Sequence, residues 1–413
     1  MRVDKYTMAR MNKRMVLESI REAGSINKAQ IARQTALSIP TVMKITDDLV
    51  GEGLVRSRGR QESASGKRPE MFEFAQDAFY SVGVDVGPTK LIAVVTDFGG
   101  HILAREQAPT GELIPAKGVV RRIAGLIHRV VEESGVPRER LLGVGLGVPG
   151  ILDTEAGRVL FSPNFHWENV ELVQPLEELL DGGLYIKMEN SNRALALGEQ
   201  YFGAGAGHDY FICVNLGYGI GSAVVENGAF YVGSSGTSGE VGHITVEKDG
   251  PLCTCGNSGC LEAVASGRAI AQQAKNLVSG GVPTGILDLA GGDIEAIEAK
   301  TVFEAARQGD PAAGELVRKA GEYIGIGLAN YINLLDPEKI ILAGGMSGEE
   351  ILTQQIQRVV KVRQMRFAGR KVKIRPAKLG ANATSIGAAT LILRRVMELG
   401  GSTALSQQRE ASS

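Results

Sequence analysis

The 413-residue sequence has no long hydrophobic run: no apolar stretch approaches the roughly 18 residues that a membrane-spanning helix requires. Its first residues, MRVDKYTMARMNKR, are charged and lack the apolar segment of a secretory signal peptide. With 44% hydrophobic and 22% charged residues the composition is that of a globular protein. These absences argue against a membrane-spanning or secreted class and predict a cytoplasmic protein.

Cysteine is also scarce, with four residues in the whole chain. Three of them, Cys253, Cys255 and Cys260, lie within eight residues, and His243 precedes them by ten. Zinc takes four N or S ligands tetrahedrally, and closed structural sites commonly combine three cysteines with one histidine. A reduced thiol cluster without metal is the alternative, but clustered cysteines beside a histidine in an intracellular chain favour metal. We therefore predict a structural zinc ion bound by these four residues; Cys213, in an apolar run, is interpreted as a small buried hydrophobe.

Net charge is nearly absent overall, at −1, but it is unevenly distributed. Residues 1–75 carry 14 Lys and Arg against 9 Asp and Glu, so the rest of the chain carries −6. A basic end on a near-neutral chain is a weak indication of nucleic-acid binding.

Residues 12–50 predict three short helices. The first covers 12–23, the second KAQIARQT, and the third begins after Ser38, with Pro40 in its first turn. The second and third helices form the helix-turn-helix arrangement, in which the third helix enters the major groove of DNA. The groove-facing candidates are Ser38, Pro40, Thr41 and Lys44. A helical protein-interaction module, which shows the same periodicities, is the alternative.

Two predicted strands, beginning at Leu54 and ending at Phe74, flank the loop GRQESASGKRP. Such a hairpin after the third helix is typical of a wing that contacts the phosphate backbone. The basic candidates of the wing are Arg58, Arg60, Lys67 and Arg68.

From Phe79 onwards the sequence reads as α/β with many glycines. A strand runs into DVGPTK at 85–90, further strands and a helix over 116–134 follow, and a buried strand covers 142–148. A second glycine turn follows at 217–221, and a strand ends in a Gly pair at 344–345. We predict an α/β fold of the actin-like, ribonuclease H-like type, with two lobes as in ATPases and sugar kinases, preceded by an all-α/winged helix-turn-helix domain. In such lobes the turn between the first two strands wraps phosphate with backbone N–H groups.

The expected domain boundaries follow these changes in pattern. We expect a DNA-binding domain at 1–76, an N-terminal lobe at 77–190, a C-terminal lobe with the zinc site at 191–383, a closing helix at 384–400 and a disordered tail at 401–413.

The order of motifs resembles the ROK family of bacterial repressors and sugar kinases across essentially the whole chain. The matching segments are DVGPTK at 85–90, GVGLGVPGILD at 143–153, SPNFHW at 162–167, ENSNRALALGE at 189–199, GYGIG at 217–221, GEVGH at 239–243 and CTCGNSGCLE at 253–262. The N-terminal helix-turn-helix resembles that of the repressor branch, of the xylose-repressor type.

The resemblance implies which residues hold a sugar. In kinases of the family these are the Asn and the carboxylate of a Glu-Asn-Asp motif, the Glu and His of Gly-Glu-x-Gly-His, and the Glu after the last cysteine. Carboxylates and an amide suit this role because sugar hydroxyls require fixed donors and acceptors. The implied sugar-binding residues of this chain are Asn164, Asn190, Ser191, Glu240, His243 and Glu262.

Three departures from the kinase pattern all concern catalysis. Ser191 stands where the kinases have the catalytic aspartate, and a serine without an adjacent base cannot act as a general base near neutral pH. Pro88 removes a backbone N–H from the first phosphate turn. Tyr218 replaces the usual threonine of the second turn. We therefore expect a protein that binds sugar without phosphorylating it, and assign no catalytic residue.

The leading hypothesis is a sugar-responsive transcriptional repressor of carbohydrate-utilisation genes, with the effector held between the two lobes. We expect a homodimer, or a dimer of dimers, that presents two DNA-binding domains to a pseudo-palindromic operator. The alternatives are an ATP-dependent sugar kinase with an appended regulatory domain, and a repressor whose inducer is a partner protein.

Overall fold

The computed structural model describes residues 5–60, 69–111, 115–180, 183–366 and 372–402. The chain divides into two compact units. The first comprises Met1–Leu160, Trp167–Ala194 and Thr384–Ser413, and the second comprises Phe161–His166 and Leu195–Ala383. Among the described residues no helix is both long and apolar enough to cross a membrane.

The N-terminal part of the first unit is a winged helix-turn-helix head, as predicted. Its three strands form an antiparallel sheet in the order β1-β3-β2. The short strand β1 was not predicted from the sequence. The elements of the head are α1 Lys5–Ala23, β1 Ile26–Asn27, α2 Lys28–Thr35, α3 Ile39–Gly51, β2 Val55–Arg60 and β3 Glu70–Phe74.

Local sequence explains the boundaries of α2 and α3. Asn27 accepts from the N–H of Gln30 at 3.0 Å, and the Gln30 side chain accepts from the N–H of Asn27 at 3.1 Å, which is a capping box. Ala36, with φ of 55°, turns the chain after α2, and Ser38 caps α3. The core of the head consists of Val16, Leu17, Ile20, Ile26, Ile31, Val42, Ile45, Leu49, Leu54 and Phe72.

Helical periodicity also predicts Met15, Ala23, Ala29 and Val50 on the buried faces of the helices of the head, but these four residues are exposed. Met15 is 37% exposed and Val50 is 40% exposed. They lie at the margins of the buried faces, where a period of 3.6 residues does not decide between inside and outside.

The remainder of the first unit is built around a five-stranded sheet in the order β11-β7-β4-β5-β6. The strands β4, β5 and β6 are antiparallel neighbours, and β7 lies parallel to both β4 and β11. The predicted helix over 116–134 is confirmed as α4. The elements in chain order are β4 Tyr80–Val86, β5 Lys90–Asp97, β6 Ile102–Pro109, α4 Ala116–Ser134, β7 Leu141–Val148, β8 Ile151–Asp153, β9 Arg158–Ser162, β10 Trp167–Glu171, α5 Val173–Leu179, β11 Tyr185–Asn190 and α6 Ser191–Phe202. The last two residues of β9 and the part of α6 from Leu195 onwards are assigned to the second unit.

The second unit contains a second five-stranded sheet, in the order β14-β13-β12-β15-β16, with helices packed against it. Strands β12, β15 and β16 are parallel to one another, and β13 is antiparallel to β12. The longest of the helices described in this unit is α11. The elements are β12 Phe211–Leu216, β13 Ile220–Glu226, β14 Ala229–Phe230, α7 Leu261–Ala265, α8 Gly267–Ser279, α9 Ile286–Leu289, α10 Ala299–Arg307, α11 Pro311–Leu335, β15 Lys339–Ala343, α12 Glu350–Arg363 and β16 Lys373–Pro376.

The closing helix α13, Ala383–Leu399, packs on the sheet of the first unit. Two glycines of that sheet allow backbone-to-backbone contact, since a Cβ at Gly83 would lie 1.9 Å from the oxygen of Ser385 and one at Gly145 would lie 1.7 Å from that of Ala388. After α13, Gly401 and Ser402 are buried, and the rest of the predicted tail, 403–413, lies outside the described residues.

Candidate metal centre, sugar site and DNA-reading head

The four predicted metal ligands lie together in the second unit. One ligand atom from each of His243, Cys253, Cys255 and Cys260 can be chosen so that all lie within 4.8 Å of one another. The Nδ1 of His243 is 3.6 Å from the Sγ of Cys253, and the Sγ atoms of Cys255 and Cys260 are 3.7 Å apart. The prediction that these residues form one cluster is confirmed.

The distances fit a tetrahedral metal ion. With Zn–S near 2.3 Å and Zn–N near 2.05 Å, tetrahedral angles put two sulfurs about 3.8 Å apart and sulfur and nitrogen about 3.6 Å apart. The observed separations of 3.7 and 3.6 Å agree with this geometry. The cluster can therefore hold a metal ion of that kind with its four ligands.

Glycines shape the loop that carries the cysteines. Gly256 and Gly259 have φ of 92° and 69°, a region that other residues rarely adopt. A Cβ at Gly259 would also lie 1.7 Å from the oxygen of Glu247, so the backbone at Gly259 packs directly against the backbone at Glu247. Gly256 and Gly259 therefore let the chain wrap around the cluster.

Glu262, two residues after the last cysteine, reaches the second glycine turn. It is the second residue of the short helix α7 and is 8% exposed, and its Oε2 accepts a hydrogen bond from the N–H of Ile220 at 2.9 Å. A Cβ at Gly219 would lie 2.4 Å from that Oε2, and one at Gly242 would lie 2.0 Å from the oxygen of Ile220. The structure therefore brings the turn at 217–221, the turn at 239–243 and Glu262 into direct contact.

Tyr218 stands at the tip of the glycine turn and is 48% exposed. The guanidinium of Arg268 lies over its ring at 6.0 Å, and the N–H of Arg268 donates to the oxygen of Tyr218 at 3.2 Å. Arg268 also lies 4.0 Å from Glu262. Sequence reasoning missed Arg268 because it follows the last cysteine motif by several residues and belongs to no recognised pattern.

Glu240 and Asn164 are exposed residues of the second unit. Glu240 precedes the 3₁₀ turn Val241–His243. Burial raises the pKa of Tyr331 on α11, and the negative charge of Glu240 adds to this rise. Asn164 lies in the turn between β9 and β10.

Asn190 and Ser191 belong to the first unit, at the junction of β11 and α6. The Nδ2 of Asn190 donates to the oxygen of Gly150 at 3.0 Å, and its Oδ1 accepts from the N–H of Asn192 at 2.9 Å. The Asn190 side chain thus begins α6 and ties it to the end of β7. A sugar contact by Asn190 has to be shared with these structural bonds.

The first glycine turn is closed on itself. The N–H of Gly87 donates to the oxygen of Lys90 at 3.1 Å, and the hydroxyl of Thr110 donates to the oxygen of Gly87 at 2.6 Å. Pro88 has no N–H to offer. Two of the N–H groups that a phosphate-binding turn would use are therefore unavailable.

Asp85 is the last residue but one of β4, the strand that precedes this turn. Burial raises the pKa of its carboxyl to about 7, although the positive charge of Lys90 acts in the opposite direction. Asp85 is consequently a carboxyl whose charge changes near neutral pH.

The reading-helix candidates of the head lie on the first turns of α3. The Ser38 hydroxyl accepts from the N–H of Thr41 at 3.3 Å, and the two hydroxyl oxygens are 2.8 Å apart. Pro40 and Lys44 are exposed, as is Met43, which sequence reasoning did not name. These positions form one solvent-facing surface at the start of the helix.

The basic wing is only partly described. Arg58 is exposed and pairs with Glu73, which Arg56 also contacts at 2.6 Å. Arg60 ends β2, and Lys67 and Arg68 lie outside the described residues.

Comparison with known proteins decides the family. Residues 81–395 match the model of the ROK family, and residues 12–56 match that of winged helix-turn-helix DNA-binding domains. The chain belongs to the ROK family. Its fold class is accordingly that of the ROK sugar kinases, preceded by a winged helix-turn-helix head.

Two relatives cover nearly the whole of this ROK protein. It is 30% identical over 387 residues to the xylose repressor of Caldicellulosiruptor bescii, and the aligned region covers 94% of this chain and 96% of that protein. It is 29% identical over 388 residues to the Escherichia coli DNA-binding transcriptional dual regulator NagC, over 94% and 93% of the two chains.

Solved structures of ROK proteins include both regulators and kinases. A ROK family transcriptional regulator, described as a homologue of the E. coli MLC protein, has 26% identity and a TM-score of 0.81 over 97% of this chain and 99% of that one. A ROK family glucokinase from Streptomyces griseus, in complex with glucose and AMPPNP, has 36% identity and a TM-score of 0.70 over 76% and 99%.

Proposed function

We propose that this ROK protein is a sugar-responsive transcriptional repressor of carbohydrate-utilisation genes. The observation that carries the proposal is the presence in one chain of a winged helix-turn-helix head and a ROK body, matched along 94% of the chain by proteins named as regulators. The kinase likeness covers 76% of the chain. We place its action in the cytoplasm, where an operator is accessible.

Operator DNA is the proposed partner of the head. Ser38, Pro40, Thr41 and Lys44 would contact the major groove, and Arg58, Arg60, Lys67 and Arg68 the phosphate backbone. Arg58 would have to share its charge with Glu73. Two heads are needed for a pseudo-palindromic operator, so we propose a homodimer or a dimer of dimers.

The proposed effector is a sugar bound by Asn164, Asn190, Ser191, Glu240, His243 and Glu262. The exposed carboxylate of Glu240 lies three residues from His243, whose Nδ1 faces Cys253. The other ring nitrogen, Nε2, can then serve a sugar hydroxyl.

Zinc is the proposed occupant of the cysteine cluster, because three thiolates and an imidazole form the donor set that this ion prefers. Such a set closes the coordination shell and leaves no position for a reactive water. The ion would hold the loop that links the turn at 239–243 to Glu262, so its role is structural.

A single experiment tests the central proposal. Duplexes that the full-length chain selects from a random DNA library are used in fluorescence-anisotropy titrations with and without D-xylose, N-acetylglucosamine and D-glucose. We expect one tight duplex family, and a change of at least tenfold in Kd with one of the sugars. The absence of any selected sequence would contradict DNA reading, and equal Kd values with every sugar tested would contradict the effector role of these sugars.

Kinase activity is the competing function, and features of three residues disfavour it. Gly87 uses its N–H within the hairpin, Pro88 has none, and Ser191 supplies no base. We expect no sugar-dependent ADP release in a coupled assay. Sugar-dependent turnover that is lost on Glu240→Gln would support a kinase; Asn190→Ala is a poorer control, since Asn190 also begins α6.

A further inference from the structure

Glu52 connects the DNA-reading helix to the end of the closing helix. It follows α3 directly, and its side chain is 16% exposed. One carboxylate oxygen pairs with Lys13 of α1, and the other accepts a hydrogen bond from the backbone N–H of Ser402 at 3.1 Å. Ser402 lies three residues beyond the end of α13 and is 6% exposed.

Two glycines make this contact possible. A Cβ at Gly401 would lie 2.2 Å from the Oε2 of Glu52, and one at Gly400 would lie 3.2 Å from the Cβ of Lys13. Gly400 also has φ of 73°, which ends the helix, and its N–H still donates to the oxygen of Met397 at 3.1 Å. The end of α13 therefore fits against the head so closely that a side chain at position 401 would displace Glu52.

The opposite end of α13 lies beside the start of α6. A Cβ at Gly147, on β7, would be 2.8 Å from the side chain of Thr384 and 3.6 Å from the Cα of Ser191. Thr384 and Ser191 thus flank one glycine at the end of the sheet. Two of the proposed sugar-binding residues, Asn190 and Ser191, are located there.

One helix consequently links two functional regions within the first unit. Its 17 residues span about 25 Å at 1.5 Å per residue. Along this length it is held on the sheet by close contacts at Gly83 and Gly145, and by the Ser81 hydroxyl, which donates to the oxygen of Ala389 at 3.1 Å. Only Gly400 and Gly401 separate the last residue of this helix from Ser402.

We propose that Glu52 is a positioning residue for DNA reading, and that α13 transmits the state of the sugar site to α3 through the bond between Glu52 and Ser402. This inference rests on the proposed function. The sugar would act by favouring one of two positions of α13, since a ligand changes an equilibrium only through its different affinities for the two states.

The test uses full-length Glu52→Ala, which removes both acceptors, and Gly401→Ala, which inserts a Cβ against Glu52. Gly51→Ala is the matched control, because Gly51 is exposed, precedes Glu52 and would place its Cβ in open space. Each variant is titrated with the selected duplex, with and without D-xylose and N-acetylglucosamine. Sugar binding is measured by calorimetry and amide exchange by mass spectrometry.

We expect the ratio of Kd values with and without sugar to fall to about 1 in both test variants, with sugar binding unchanged. Amide exchange over residues 45–54 and 396–402 should quicken, while Gly51→Ala should behave as the wild type. A wild-type sugar response in either test variant would overturn the transmission. If the wild type itself does not respond to sugar, both the proposed effector function and the transmission fail. The exchange data then test separately whether Glu52 positions the head. Unchanged amide exchange in the two test variants would overturn that positioning role as well.

Discussion

The Oε2 of Glu262 accepts a hydrogen bond from the backbone N–H of Ile220 at 2.9 Å. The two residues are 42 positions apart in sequence: Glu262 follows the cysteine cluster, and Ile220 lies in the second glycine turn. Glu262 lies two residues after Cys260, so this bond ties the end of the cysteine loop to the turn. Glu262 is therefore a link between the cysteine cluster and the turn, besides being a proposed sugar contact.

Replacing Glu262 by alanine leaves the Ile220 N–H without its partner. Glu262 is 8% exposed, so solvent has little access to take its place. An unsatisfied buried donor costs about 1–3 kcal/mol, and we expect the free energy of unfolding to fall by about that amount. Urea unfolding followed by circular dichroism measures it.

Glu262→Gln is the matched control, since its amide oxygen can still accept from Ile220. It should retain most of the stability while weakening any interaction that requires the negative charge. Equal losses of stability in the Ala and Gln variants would contradict the role assigned to the hydrogen bond.

Patterns that depend on local sequence were predictable, and those that depend on distant partners were not. The bounds of α4 and the ligand set around Cys255 follow from periodicity and spacing, which are local. Asn190 illustrates the limit: the resemblance marked it as a sugar contact, but its bond to Gly150, 40 residues away, exists only in the folded chain. The contact of Glu52 with Ser402 spans 350 residues and leaves no signature in the sequence.

Cys255→Ala should abolish tight metal binding. The variant leaves three ligands, and a structural zinc site requires four. We expect wild-type protein purified from zinc-containing medium to hold about one zinc per chain by mass spectrometry of the metal, and the variant to hold much less. Amide exchange over residues 243–262 should quicken, because the ion no longer holds the loop.

Cys213→Ala is the control for this loss. Cys213 is buried in β12 and is not one of the four clustered residues, so the variant should keep its zinc even if its packing is weakened. Undiminished zinc content in Cys255→Ala would contradict the assigned ligand set.

Asp85 should make the protein less stable as the pH rises. Its pKa is raised from 3.8 to about 7 in the folded state, mainly by burial, so folding disfavours the ionised form. Below the unfolded pKa such a carboxyl is protonated in both states and does not lower the free energy of unfolding. As the pH rises above that value the free energy of unfolding decreases, until the pH passes the pKa of the folded state. Asp85→Asn should therefore stabilise the protein by about 2–4 kcal/mol at pH 8 and by much less at pH 4.5.

Urea unfolding of Asp85→Asn and wild type at pH 4.5, 6, 7 and 8 measures this difference. Asp249→Asn, at an exposed position, should show no comparable trend. A constant difference between Asp85→Asn and wild type at all four pH values would show that the Asp85 charge is not disfavoured by folding.

Lys44 tests whether α3 is the helix that meets DNA. It is exposed in the second turn of α3, on the face that begins with Ser38 and Thr41. Its proposed contact is with a base edge in the major groove, which carries sequence specificity and releases few counterions, so removing it should leave the slope of log K against log salt nearly unchanged. We expect Lys44→Ala to weaken binding of the selected duplex by about tenfold near physiological salt.

Lys361→Ala, at an exposed position of α12 in the second unit, supplies the matched loss of one charge and should leave both the affinity and the salt slope as in the wild type. Equal effects of the two substitutions would mean that the affinity for DNA depends only on the net charge of the protein. A loss of affinity in Lys44→Ala with a salt slope lowered by about 1 would instead indicate that Lys44 contacts a phosphate, because each phosphate contact made by a lysine releases counterions.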